Sequence, residues 1–168
     1  MYAFSNPIEP TVMPEKTRHI LFVCTGNICR SPMAQGVATV LAERAGKNLV
    51  FASAGTGDWH AGQPADARAV EAAKRRGYDL SGCVARQCVD EDFHRFDYLI
   101  ALDGGHLRWL RTALSARRLP EKPISRLMDW SIGLAGRDVP DPYYGDAAEF
   151  DAALDLIEKG CEGLVRRI

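Results

Sequence analysis

The chain has 168 residues and a mass of 18.5 kDa, a length that favours one domain with a core large enough to stand without disulfides or metal ions. Hydrophobic residues at 46% and charged residues at 26% exclude a disordered chain. Lys plus Arg (21) against Asp plus Glu (22) leave a formal charge of −1, so there is no electrostatic footprint for duplex nucleic acid or an anionic membrane. No apolar run approaches the roughly 18–20 residues of a membrane span. Met1 to Arg18 lacks the basic start and apolar stretch of a secretory signal. The five cysteines, Cys24, Cys29, Cys83, Cys88 and Cys161, cannot all pair within one chain. A reduced, cytoplasmic protein is therefore expected.

In chain order, residues 1–17 carry Pro7, Pro10 and Pro14 without any period and read as a tail outside a domain over 18–168. Ile20 to Val23 is a buried strand. Ser31-Pro32 offers an N-cap and a first-turn proline, followed by Met33, Val37, Val40 and Leu41 at helical spacing until Gly46. Leu49 to Ser53 is a second strand. A loop with Gly55, Gly57, Gly62 and Pro64 leads to a helix ending near Gly77. Phe96 to Leu102 reads as a third strand, with Leu107, Leu110 and Leu114 on the next helix, and Ile124 to Leu127 as a fourth. Phe150, Leu154, Ile157, Cys161, Leu164 and Ile168 share one face of a final helix.

Strands alternating with helices predict an α/β three-layer sandwich: a four-stranded parallel sheet with helices on both faces. Ligand sites in such sheets lie beyond the carboxyl ends of the strands, which places the loop after the first strand at the site. That loop reads Cys24-Thr25-Gly26-Asn27-Ile28-Cys29-Arg30-Ser31-Pro32. A cysteine and an arginine at this spacing are weak evidence alone, since Cys161 and Arg167 share it on an apolar helix face. At Cys24 the context is a strand, a tight turn and a helix start. Gly26 and Asn27 tolerate left-handed backbone. A loop of this kind turns successive N–H groups inward as an anion cradle, and Arg30 adds a two-pronged contact to a tetrahedral oxyanion. A thiolate is itself an anion, so the same field favours the ionised nucleophile at Cys24. No Gly-Lys-Ser/Thr follows, which excludes a nucleotide-binding P-loop. Cys24/Cys29 and Cys83/Cys88 have spacings at the edge of structural zinc sites, but Cys29 would have to leave the phosphate loop to serve one.

Phosphoryl transfer needs an acid for the leaving oxygen, and the best candidate is Asp141 in Val139-Pro140-Asp141-Pro142-Tyr143-Tyr144-Gly145. Its prolines stiffen the loop, while Tyr143 and Tyr144 offer flat walls for an aromatic group. Asp103 is the runner-up acid or a hydrogen-bonding support. Trp59 and His60 stand where they could wall the pocket.

The segment Val23 to Pro32, together with Asp141-Pro142-Tyr143-Tyr144-Gly145, resembles the low-molecular-weight protein tyrosine phosphatase family. Ser53-Ala54-Gly55-Thr56 and Asp58-Trp59-His60 resemble that family's segment after the second strand. The resemblance runs from about His19 to the C-terminus. It implies that Cys24 attacks phosphorus to form a cysteinyl-phosphate. Arg30 and the amides of Thr25 to Ser31 would bind the phosphate, and Asp141 would serve as general acid, then base. It further implies that Asn27 holds the loop shape, that Ser31 bonds toward the sulfur, and that Cys29 is a redox partner for oxidised Cys24. No metal or cofactor is required. The implied partners are a phosphotyrosine protein, such as a tyrosine kinase, and inorganic phosphate as product inhibitor, with no nucleic acid or membrane; the protein itself would be a monomer or weak dimer.

The chain departs from the family where Gly105-His106 replaces a common Ser-Asn pair and where Arg76 and Cys83 stand in place of histidines. Three rival functions compete with this one. An arsenate reductase needs a thiol-relay cysteine pair after the third strand, where this chain has Asp103-Gly104-Gly105. Protein-arginine phosphatases carry a polar threonine in place of Ile28 and lack the double tyrosine. A non-catalytic phosphate-binding module would have a damaged Cys24, Arg30 and Asp141 set.

Overall fold

The computed structural model describes residues 15–168. Most of the expected tail, residues 1–14, therefore lies outside the described residues. The sheet has four parallel strands, β1 (Arg18–Cys24), β2 (Leu49–Gly55), β3 (Tyr98–Ala101) and β4 (Ile124–Arg126), in the order β2-β1-β3-β4. The helices are α1 (Arg30–Arg44), α2 (Ala67–Arg75), α3 (Asp92–Arg95), α4 (Gly104–Ala116) and α5 (Ala147–Arg167), with a 3-10 turn over Leu127–Trp130. This is the expected α/β sandwich.

Alternation along β1 explains the three layers. Ile20, Phe22 and Cys24 enter one apolar cluster, shared with α1, α2 and α5, while Leu21 and Val23 enter a second, shared with α3 and α4. β3 repeats the pattern, with Ile100 on the first face and Leu99 and Ala101 on the second. A strand buried on both faces carries a continuous apolar run rather than an alternating one, which is why Ile20 to Val23 was legible. Cys161 packs wholly buried in the first cluster, as its helical face requires. Cys83 packs against the first cluster and Cys88 is buried in the second, so the two cysteine pairs weighed as zinc ligands do not converge.

Two expectations need correction. The third strand is shorter than Phe96 to Leu102: Phe96 N–H bonds back to Asp92 O at 3.2 Å and closes the short helix α3, which carries too few residues to show a period. Ser31 is not the N-cap of α1. Cys29 holds that position with no side-chain cap bond, and Ser31 lies inside the first turn. Pro32 is still tolerated there, because first-turn N–H groups have no intrahelical acceptor to lose.

Candidate active site

β1 is flanked by β2 on one side and β3 on the other, so the loop leaving Cys24 sits where the strand order reverses. Register places Cys24 beside Gly55 at the end of β2. Thr56 N–H donates to Cys24 O (2.8 Å) and Gly57 N–H to Thr25 O (3.2 Å), which ties the loop to the chain after β2. That approach requires Gly55, since a Cβ there would lie 2.6 Å from Thr25 O. Asn27 takes the left-handed turn (φ 57°). Gly26, expected to share it, does not adopt positive φ. Its missing side chain instead makes room for the His60 ring, which a Cβ would meet at 2.8 Å.

The Asn27 side chain is used at every polar atom. Its Nδ2 donates to Ser31 Oγ (2.8 Å) and Ser53 Oγ (2.9 Å), and its Oδ1 accepts from Arg86 N–H (3.0 Å). Ser53 in turn donates to Gln35 Oε1 at 2.7 Å. Because Asn27 donates to Ser31, the Ser31 proton is free for Cys24 Sγ, 3.0 Å away, and the nearest competing acceptor, Ala54 O, stands at 3.5 Å. The backbone N–H groups of Gly26, Asn27, Ile28 and Cys29 donate to no acceptor among the described residues. Buried amides of this kind, gathered in one loop, call for an anion.

Arg30 is buried and held at the other end of the loop. Its Nη1 donates to Asp103 Oδ2 (2.8 Å) and to Val139 O (2.9 Å), while Nη2 lies 3.6 Å from Asp141 Oδ2. Asp103 therefore stands as a hydrogen-bonding partner of Arg30. It also caps α4 by accepting from His106 N–H (2.9 Å). Burial pushes the Asp103 carboxyl up, but the His106 amide, its imidazole and Arg30 outweigh that and hold it below the ordinary carboxylate value. Asp141 is half-exposed, with Oδ1 pinned by Tyr143 N–H (3.1 Å).

A pocket of about 400 Å³ brings together Cys24, Thr25, Gly26, Ile28, Cys29, Arg30, Trp59, His60, Asp141, Tyr143 and Tyr144. Asn27 and Ser31 stand behind it as supports. Tyr143 is braced by Arg68, whose guanidinium lies 5.5 Å from its ring, and Tyr144 meets it edge-on at 4.9 Å. Tyr144 and Trp59 are exposed at the rim, 94% and 68%. Arg68 also reaches Gly145 O (3.3 Å) and pairs with Asp66, so α2 anchors the loop carrying Asp141. Sequence reading missed Arg68, Gln35 and Arg86, whose roles depend on contacts far along the chain. Burial, then the carboxylates of Asp66 and Asp141 and the Cys24 sulfur, push the Cys29 thiol up to about 12. Cys29 is a neutral thiol beside the site.

The family model of the low molecular weight phosphotyrosine protein phosphatases matches residues 19–168. A low molecular weight protein-tyrosine-phosphatase of Streptomyces coelicolor is 43% identical over 155 residues, covering 90% of this chain and 94% of that one. The crystal structure of YfkJ from Bacillus subtilis superposes with a TM-score of 0.83 at 37% identity, covering 92% and 96% of the two chains. A structure of the YwlE arginine phosphatase superposes with a TM-score of 0.79 at 29% identity, covering 89% and 94%. The chain belongs to the low molecular weight phosphotyrosine protein phosphatase family.

Proposed function

We propose that this phosphatase removes phosphate from phosphotyrosine in proteins through a cysteinyl-phosphate, with residues 18–168 as the catalytic unit. The observation that carries the reading is the convergence of Cys24, Arg30 and Asp141 on one pocket walled by Tyr143, Tyr144 and Trp59. The Cys24 thiolate attacks phosphorus as the bond to the phenolic oxygen breaks, and Asp141 gives that oxygen its proton. Amides of the loop and the free edge of the Arg30 guanidinium hold the equatorial oxygens where charge spreads in the transition state. Asp141 then takes a proton from the water that attacks the thiophosphate, and inorganic phosphate leaves.

A phosphoarginine substrate is the second reading, since an arginine phosphatase shares the fold. Ile28 on the pocket wall favours a phenyl ring over a guanidinium, whose buried N–H groups would be left unpaired. Cys29 suits a protective role: its thiol would condense with a Cys24 sulfenic acid to give a disulfide and water. A reducing cytoplasm would keep both cysteines as thiols. No helix among the described residues is long and apolar enough to cross a membrane.

The test is phosphate release from phosphotyrosine, phosphoserine and phosphoarginine peptides, with chelator, at mildly acidic pH. Turnover of the first alone, lost in Cys24→Ser, is the expected result. Preference for phosphoarginine would overturn the reading of Ile28, and phosphate binding without turnover would make the chain a binding module.

A further inference from the structure

Behind the loop, one buried titratable side chain has no part in the reaction just described. His106 is 4% exposed and its Nε2 lies 2.8 Å from Thr25 Oγ1, at the start of the phosphate loop. Its Nδ1 lies 3.2 Å from Asp103 Oδ1 and has no hydrogen-bond partner among the described residues. The opposite oxygen of Asp103 holds Arg30 at the far end of the loop. We propose that His106 is a positioning residue of the phosphate site: its imidazole bridges Thr25 to the Asp103–Arg30 pair and so keeps nucleophile and guanidinium in register on one phosphate. The proposal rests on the assignment of Cys24 and Arg30 above.

The tautomer follows from charge. A neutral imidazole has one N–H. With the proton on Nε2, the Nδ1 lone pair would face the Asp103 carboxylate at 3.2 Å, lone pair against lone pair. With the proton on Nδ1, the ring is attracted to Asp103 and Nε2 accepts the Thr25 hydroxyl. The Nδ1 contact at 3.2 Å lacks the alignment of a hydrogen bond, so it works as a charge–dipole attraction. Asp103, Arg30, Asp141 and Asp138 are the charged groups around the ring, and burial, with Arg30 acting in the same direction, outweighs the three carboxylates to keep it neutral. Thr25 is consequently held on two sides, by Gly57 N–H at its carbonyl and by His106 at its hydroxyl.

The imidazole is not needed to build α4. The helix cap is the bond from the His106 backbone N–H to Asp103, and it survives any side chain at this position. What the ring adds is a cross-brace between the two ends of a cradle that must hold one tetrahedral group. Displacing either end by a fraction of an ångström loses transition-state contacts more than ground-state ones, so the loss should fall on kcat.

Three substitutions separate the contacts. His106→Leu keeps bulk and removes both. His106→Gln carries an amide out to the place of Nε2 and keeps the Thr25 contact. His106→Asn carries one at the place of Nδ1 and keeps the Asp103 contact. We expect His106→Leu to lower kcat on a phosphotyrosine peptide about 10-fold with KM little changed, and the two amides each to recover part of it. Thr25→Val should cost a similar factor, and the double variant Thr25→Val/His106→Leu no more than the worse single one, because both remove the same link. Wild-type kcat in His106→Leu, multiplied losses in the double variant, or a loss that no amide recovers would overturn the proposal. Protection of Cys24 against iodoacetate by vanadate, which takes the five-coordinate shape of the transition state, gives a second readout. Protection weakened in His106→Leu supports the brace and unchanged protection opposes it, even for a chain that failed to turn over phosphotyrosine. Loss of the phosphotyrosine reading and loss of this proposal are thereby distinguished.

Discussion

The two flanks of the phosphate loop are built from opposite materials. Behind Cys24 and Asn27 lies a neutral network, Asn27–Ser31–Ser53–Gln35, in which the Asn27 amide and the two serine hydroxyls meet hydroxyls, an amide oxygen, the backbone or the Cys24 sulfur. Around Arg30 lies a charged one, with Asp103, Asp141 and the neutral ring of His106 inside it. The neutral flank fixes backbone shape and delivers one proton donor to sulfur without placing a competing charge beside the thiolate. The charged flank orients a guanidinium and a carboxylate whose task is to meet charge that moves. Buried neutral networks lend rigidity when fully satisfied, whereas a buried ion pair adds little net stability but specifies geometry. Damage to the first flank should therefore appear in stability as well as rate, and damage to the second chiefly in rate.

The largest effects belong on the charged flank. Asp141→Asn should lower kcat on phosphotyrosine by roughly 10²–10⁴, and by much less on p-nitrophenyl phosphate, whose leaving oxygen needs little help from an acid. An equal loss on both substrates would move the acid elsewhere. Arg30→Lys keeps the charge but cannot hold Asp103, Val139 O and a phosphate at once. A loss of about 10²–10³ in kcat is expected, with the midpoint of thermal unfolding shifted only modestly.

On the neutral flank, Asn27→Ala puts into the left-handed turn a residue without the polar side chain that lets Asn tolerate it, about 1–2 kcal/mol, and leaves buried partners unsatisfied at about 1–3 kcal/mol more. Denaturant unfolding should register the sum. Asn27→Gly accepts the backbone angle and isolates the hydrogen-bond share, so its cost should be visibly smaller. If the two variants were equally stable, the backbone angle would carry none of the effect.

How much of this was legible in the chain depends on the range of the interaction. β1 could be read from four apolar residues in a row, and Cys24, Arg30 and Asp141 from short motifs whose chemistry needs those residue types at that spacing. The first turn of α1 was misread. Ser31-Pro32 has the composition of a cap, yet its hydroxyl is needed by the sulfur, a demand that propensity does not contain. The braces were less legible still. Arg68 acts on a loop 77 residues away, through its bond to Gly145 O, and His106 on Thr25 across 81. Gly105-His106 was visible as a departure from the family pattern, but only the fold places that imidazole against the phosphate loop.

The smallest and most discriminating effect lies in acid stability. Burial lowers the His106 pKa from 6.5 to about 4. Between those values the unfolded chain takes up a proton that the folded chain refuses, so stability held above pH 6.5 drains away as pH falls toward 4, by up to about 3 kcal/mol. Asp103 acts in a different window. Its carboxyl is held below 3.8 in the folded state, so its contribution persists through mild acid and is lost only as pH falls beneath that value. Denaturant midpoints at pH 7, 5.5 and 4.5 should fall for the wild type and stay flatter for His106→Gln, which cannot titrate. Parallel curves would mean that carboxylates alone drive acid unfolding and that the ring is solvated enough to accept its proton. Divergent ones would locate the acid sensitivity of the fold in the charged flank of its phosphate loop.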